Sequence, residues 1–269
     1  MQKLFNGSKV LLTLENRVAT LVLKDEARMN AMDVTMGKEF VQAIDAVHSY
    51  SSSVGSLVLR GAGSAFSAGG DMEFLNARAK DTPLNNARMM REFYARFLSI
   101  RSVHCPTIAA INGAAVGAGL CVALACDLRV ATKTAKMGVT FSSLGLHPGM
   151  GATHFLSLAV GQQQAARLIF TGELITGDEA ERIGMVLSAV SGDAEECVKH
   201  AVAIASKIAM SGPIPVQGSV KSLRMKQDIG LDQALQREAD AQAQSYASMD
   251  YQIGLQAIID KKKPVFTGV

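Results

Sequence analysis

Apolar residues recur along the chain with two different periods, and the elements follow from where the period changes. Lys9–Glu15 and Arg17–Lys24 are short β-rich runs separated by Asn16, which predicts a hairpin, and Met1–Phe5 leads into them as alternating strand. Asp33 then precedes a stretch over Met36–His48 in which Phe40, Val41, Ile44 and Val47 share one helical face, with Asp33 or Thr35 placed to cap it. Gly55–Arg60 and Thr107–Ile111 have the composition of buried strands, and Asn85–Ile100 is helical by periodicity. Gly113–Gly119 predicts a turn into a helix over Leu120–Ala125, Asp127–Ala131 and Met137–Thr140 predict short strands, and Leu144–Gly151 a loop. From Ala152 onward the pattern is almost wholly helical, punctuated by Gly161, Gly172 and Gly212-Pro213. Strands alternating with helices, then helices alone, describe an α/β core with a helical C-terminal region, divided here into 1–195 and 196–269.

Composition narrows the function classes. The 269 residues include 27 Lys plus Arg against 24 Asp plus Glu, a surplus of three that argues against a nucleic-acid partner. The absence of Trp and an aromatic share of 5% argue against base-stacking platforms. From Ser102 to Cys126 there is no Asp, Glu, Lys or Arg, long enough to resemble a membrane span, but Asn112, Gly113, Gly117 and Gly119 interrupt it. No membrane association is therefore expected. Cys105, Cys121, Cys126 and Cys197 lie in apolar segments without a Cys-x-x-Cys spacing, which predicts no disulfide framework, no metal site and a reducing, cytoplasmic setting. The opening residues carry no pattern of a secretion or transit signal.

Two glycine-rich turns each lead into a helix: Ser67-Ala68-Gly69-Gly70-Asp71 and Gly113-Ala114-Ala115-Val116-Gly117-Ala118-Gly119. Glycine lets backbone approach a ligand closely, and the first N–H groups of a helix have no partner inside it. One donor from each turn suits a single developing oxyanion. Neither turn is a phosphate loop, since no Gly-Lys-Ser/Thr follows.

In one register with Arg28-Met29-Asn30-Ala31-Met32, Leu144-Gly145-Leu146-His147-Pro148-Gly149-Met150-Gly151 and the closing Gly254–Phe266, these turns resemble the crotonase superfamily, also called the enoyl-CoA hydratase/isomerase family. The resemblance implies a spiral of β-β-α turns and C-terminal helices that build homo-trimers or hexamers. It implies an acyl-CoA substrate in fatty acid metabolism, with coenzyme A entering as part of the substrate and no separate cofactor. The family's oxyanion-hole N–H groups fall on Gly70 and Ala118, and its CoA-binding segment on Ser67, Ala68, Gly69, Asp71 and Met72. Asp71 is also suited to cap its helix. Arg28, Lys263 and Phe266 fall where relatives approach the CoA, with Lys261 and Lys262 beside them.

The departures from the family are as informative. The two hydratase glutamates correspond to Cys121 and Phe141, and the isomerase acid to Gly149, so three acid positions of the acyl pocket are vacant. His147 is the candidate proton-transfer group in that loop, with His154, Ser142, Ser143, Glu73 and Glu92 as further polar candidates. His104 and Asn112 are expected to satisfy backbone groups. The reading that follows is a lyase or isomerase of the family that stabilises a thioester enolate without the usual glutamates. Decarboxylation of a carboxyacyl thioester and non-catalytic acyl-CoA binding are the alternatives.

Overall fold

The computed structural model describes residues 1–269. Ten strands run in chain order: β1 (Gln2–Asn6), β2 (Val10–Glu15), β3 (Val18–Leu23), β4 (Ser56–Gly61), β5 (Ala65–Ser67), β6 (Thr107–Ile111), β7 (Ala114–Val116), β8 (Leu128–Thr132), β9 (Met137–Gly138) and β10 (Ser188–Val190). The helices are α1 (Val34–Ser49), α2 (Met72–Ala79), α3 (Pro83–Leu98), α4 (Ala118–Leu124), α5 (Ala152–Thr171), α6 (Gly177–Arg182), α7 (Ala194–Ala209), α8 (Pro213–Gln227), α9 (Leu231–Tyr246) and α10 (Met249–Ile259).

Seven strands form one sheet in the order β1-β2-β3-β4-β6-β8-β10, antiparallel as far as β3 and parallel beyond it. A second, parallel sheet of three runs β5-β7-β9. Each turn of the chain gives one strand to the large sheet, the next to the small one, and then enters a helix. This is the spiral of β-β-α turns, and it brings the two glycine turns side by side: β5 precedes one, β7 precedes the other, and the two strands pair.

The large sheet is buried on both faces. Leu57 and Leu59 of β4 belong to the main core, whereas Val58 between them joins Val18, Ile108, Ala110 and Val130 against Val198, Ala201 and Ala205 of α7. That two-residue alternation with apolar groups on both sides is the signature of an enclosed parallel sheet. It also explains the uncharged Ser102–Cys126: β6, β7 and α4 are almost entirely buried in protein. No helix is long and apolar enough to cross a membrane.

Local signals account for most helix starts. Asp33 accepts a hydrogen bond from the Met36 N–H at 2.8 Å, Thr82 caps α3 ahead of Pro83, and Asp71 caps α2 through the Glu73 and Phe74 N–H groups. Such caps contribute about 1 kcal/mol each. Three features differ from the sequence reading. Gly113–Gly119 contains a short strand before its turn, α4 begins two residues earlier than expected at Ala118, and the C-terminal half holds β10, which extends the large sheet beside β8. The helices beyond residue 195 share the main core rather than standing apart from it: Ala239, Tyr246, Tyr251 and Leu255 lie within it.

Candidate active site

The first wall of the site is the turn after β5. Ser67 is fully buried beneath it, donating its hydroxyl to the Asn30 carbonyl at 2.8 Å and accepting the Gly69 N–H at 3.2 Å. Asn30 in turn binds the Ala62 and Ala65 carbonyls, so the segment after Arg28 is pinned to the turn. Gly69 has φ +92°, and a Cβ there would lie 2.6 Å from the Val116 carbonyl oxygen and 3.5 Å from the Ala118 nitrogen. Only glycine permits this backbone and this approach. The two turns therefore touch through Gly69.

Gly70 and Ala118 follow directly. Neither N–H donates to any acceptor in the protein: Gly70 stands ahead of α2, and Ala118 is the first residue of α4, where no carbonyl of its own helix is available. Both residues line one cavity of about 310 Å³. Ala68, Gly69, Met72, Gly117, Phe141 and Gly149 line it as well, together with Phe93, Tyr94, Gln242 and Tyr246. The wall carries no charged side chain and no histidine; its polar side chains are Tyr94, Tyr246, Gln242, Thr140 and Ser143.

The remaining sequence candidates stand around this cavity at different removes. Asp71 caps α2 and receives Arg28 Nη1 at 3.1 Å, leaving Arg28 half exposed and near the turn. Lys263 and Phe266 line a neighbouring cavity of about 620 Å³, which shares Ser143 and Ile258 with the first. Cys121 lies behind the wall, fully buried, its thiol donating to the Gly149 carbonyl at 3.3 Å. Burial, with the Glu238 charge adding to it, pushes that thiol well above its ordinary range and keeps it protonated. All four cysteines are free and buried.

His147 does not join Gly70 and Ala118. Its ring lines a separate cavity of about 520 Å³ with Ser142, Thr153 and Ser157. Its Nδ1 is 2.7 Å from the Pro148 carbonyl, which only accepts, so Nδ1 holds the proton. Burial lowers its pKa, the Pro148 carbonyl acting the other way and Arg237 adding to the fall. Glu73 and Glu92 are exposed on their helices, and His154 Nε2 lies 2.7 Å from the Gln227 carbonyl. Asn112 bridges the Gly61 N–H and the Gly63 carbonyl, and His104 contacts the Val54 carbonyl.

Three polar side chains near the site were not foreseen. Tyr94 of α3 donates to Gln242 Oε1 of α9 at 2.7 Å, and Gln242 Nε2 donates to the His147 carbonyl at 3.0 Å. One turn earlier on α9, Glu238 accepts from the Gly151 and Thr153 N–H groups and the Thr153 hydroxyl. Burial raises the Glu238 pKa, and those three donors pull it back only in part. The available signal was the four-residue spacing of Glu238, Gln242 and Tyr246, which puts polar groups on the buried face of a helix. No group of three or more His, Cys, Asp or Glu side chains converges as a metal-binding set.

The enoyl-CoA hydratase/isomerase family model matches residues 13–269. The chain belongs to that family. A crotonyl-CoA hydratase from Syntrophomonas wolfei is 33% identical over 262 residues, covering 96% of this chain and 97% of the relative. A 2,3-dehydroadipyl-CoA hydratase from Escherichia coli is 30% identical over 261 residues, covering 97% and 99%. The solved structure of an enoyl-CoA hydratase from Bacillus halodurans superposes with a TM-score of 0.85 at 26% identity, over 93% of this chain and all of that one. In this family member Phe141 and Gly149 on the cavity wall, and Cys121 buried behind it, supply no carboxylate.

Proposed function

We propose that this enoyl-CoA hydratase/isomerase-family chain is an acyl-CoA enzyme that binds the thioester oxygen with the Gly70 and Ala118 N–H groups and stabilises the enolate formed from it. Two unpaired N–H groups from separate turns, converging on one apolar cavity, carry this reading. Charge gathers on that oxygen only as the reaction proceeds, so donors already in place favour the transition state over the bound substrate. Removing one such donor elsewhere costs about 100- to 1000-fold in rate. Ala68, Gly69 and Met72 then flank the acyl end of the pantetheine. Arg28 stands where a CoA phosphate would pass, and Lys263 and Phe266 approach from the adjoining cavity.

A second reading is favoured by one observation: no carboxylate and no histidine lines the cavity. Hydration and isomerisation need a group that takes and returns a proton. Decarboxylation of a carboxyacyl thioester does not, since the C–C bond to the carboxyl group breaks, CO₂ leaves, and its electron pair becomes the enolate. The proton that completes the product then comes from solvent. An apolar wall with no cation raises the energy of the carboxylate that must be lost.

The test is a turnover panel: crotonyl-CoA followed by loss of the conjugated thioester absorbance, and methylmalonyl- and methylglutaconyl-CoA followed by mass spectrometry. Turnover of any of them, falling at least 100-fold when Gly69→Ala disturbs the turn, is the result predicted. Tight binding of acyl-CoA with no turnover of any thioester would instead make this a binding protein.

A further inference from the structure

Position 149 has no room for a side chain. A Cβ there would lie 2.3 Å from the Tyr94 hydroxyl oxygen and 3.0 Å from Gln242 Oε1. The hydroxyl of α3 reaches the cavity because Gly149 leaves space for it. Both Tyr94 and Gln242 are 1% exposed, and both line the cavity that holds Gly70 and Ala118.

The direction of each hydrogen bond in this pair is determined by the chain. The His147 carbonyl accepts only, so Gln242 turns its amide N–H toward it and its oxygen toward Tyr94. Tyr94 therefore spends its proton on Gln242. With its proton committed to Gln242, its oxygen keeps acceptor capacity for a group in the cavity. Burial holds the phenol protonated, far from its ordinary range, so it acts as a neutral acceptor. The surroundings are Met90, Phe93, Leu146 and Met150, and the Tyr246 hydroxyl is directed at the Met90 sulfur. An acyl chain ending in a carboxylate would bring acceptor against acceptor with no lysine or arginine on the wall. An acyl chain bearing a hydroxyl would find a partner.

Resting on the acyl-thioester reading above, we propose that Tyr94, oriented by Gln242, is a specificity-determining residue that receives a hydrogen bond from a hydroxyl group on the acyl chain. Gly149 and Tyr94 are then two halves of one replacement: the side chain withdrawn from the loop is exchanged for a hydroxyl supplied by α3.

Calorimetric titration of the whole protein with butyryl-CoA, both enantiomers of 3-hydroxybutyryl-CoA, 4-hydroxybutyryl-CoA and succinyl-CoA tests this. One of the hydroxybutyryl thioesters should bind about tenfold more tightly than butyryl-CoA, the scale of one buried hydrogen bond. Tyr94→Phe should remove that preference while changing butyryl-CoA affinity no more than about twofold. Gly149→Ala, which displaces the hydroxyl without deleting it, should remove the preference too. Parity in the wild type, a preference that survives Tyr94→Phe, or a Tyr94-dependent preference for succinyl-CoA would overturn the assignment. Failure of all five thioesters to bind would instead overturn the acyl-thioester reading itself.

Discussion

Gly69 and Gly70 are adjacent, yet they carry different burdens. Gly69 sits at φ +92° with the Val116 carbonyl 2.6 Å from any added Cβ, whereas a Cβ on Gly70 meets only the Leu75 side chain, at 3.3 Å. Gly69→Ala should therefore cost about 1–3 kcal/mol of backbone strain and pull the two turns apart. Gly70→Ala should be tolerated, because the N–H proposed to bind the thioester oxygen is retained. Thermal melts with turnover assays check this; equal losses for the two variants would contradict it. Arg28 gives the converse prediction. Its pair with Asp71 is a half-exposed, solvent-screened contact, so Arg28→Ala should leave the melting temperature nearly unchanged while raising KM for acyl-CoA with little change in kcat. At this scale the sequence made the two turns that carry the proposed donors legible, because glycine turns declare themselves. Tyr94 did not, since it falls on the apolar face of α3 beside Met90, Phe93 and Phe97, and only the packing of α3 on α9 gives its hydroxyl a partner.

Arg224 shows how one helix is fastened to the sheet. Its guanidinium is 7% exposed and binds Asp127, with further bonds to the Arg101, Val103 and Cys105 carbonyls. Burial works to raise the Asp127 pKa, but Arg224 and the Thr107 N–H and hydroxyl outweigh it, so the carboxyl titrates below its ordinary 3.8. A depressed folded-state pKa means that this stability is present above the ordinary value and is lost as pH falls through the folded one. Asp127→Asn should cost about 3–5 kcal/mol at pH 7, because it leaves a buried guanidinium uncompensated, and its deficit should shrink below about pH 4. Glu238 runs the other way. Its raised pKa makes ionisation a cost above the folded value, and acidification relieves it. Melts from pH 7 to pH 3 separate the two. At the element scale, the long strands and capped helices were readable from period and caps. Of the small sheet, β9 was anticipated within Met137–Thr140, but β5 and β7 were not, because three-residue strands of Ala, Phe, Ser and Val are too short to show a period and are held by pairing with distant segments.

Across the whole molecule, exposed apolar side chains occur on α5, α8 and α10 and in the turn between α8 and α9: Leu158, Phe170, Leu223, Met225, Ile229 and Ile259 are each more than half exposed. Isolated apolar residues on a surface are ordinary, but this many on neighbouring helices favours burial against further copies of the chain. Light scattering on the purified protein should give a homo-trimer or hexamer; a monomer at micromolar concentration would contradict it. The family, its spiral fold and its helical C-terminal region were all legible in the ordered motifs, because each motif is a local backbone requirement. The chemistry was less so, because it depends on what stands opposite the vacant Cys121, Phe141 and Gly149. The most direct test of the central claim is a crystal structure with a non-reacting acyl-CoA analogue bound. The thioester oxygen should lie 2.7–3.1 Å from both the Gly70 and Ala118 nitrogens, with the Tyr94 hydroxyl against the acyl chain and no carboxylate beside its α or β carbon. A thioester oxygen bound away from those two nitrogens, or a glutamate brought to the reacting carbons, would contradict it.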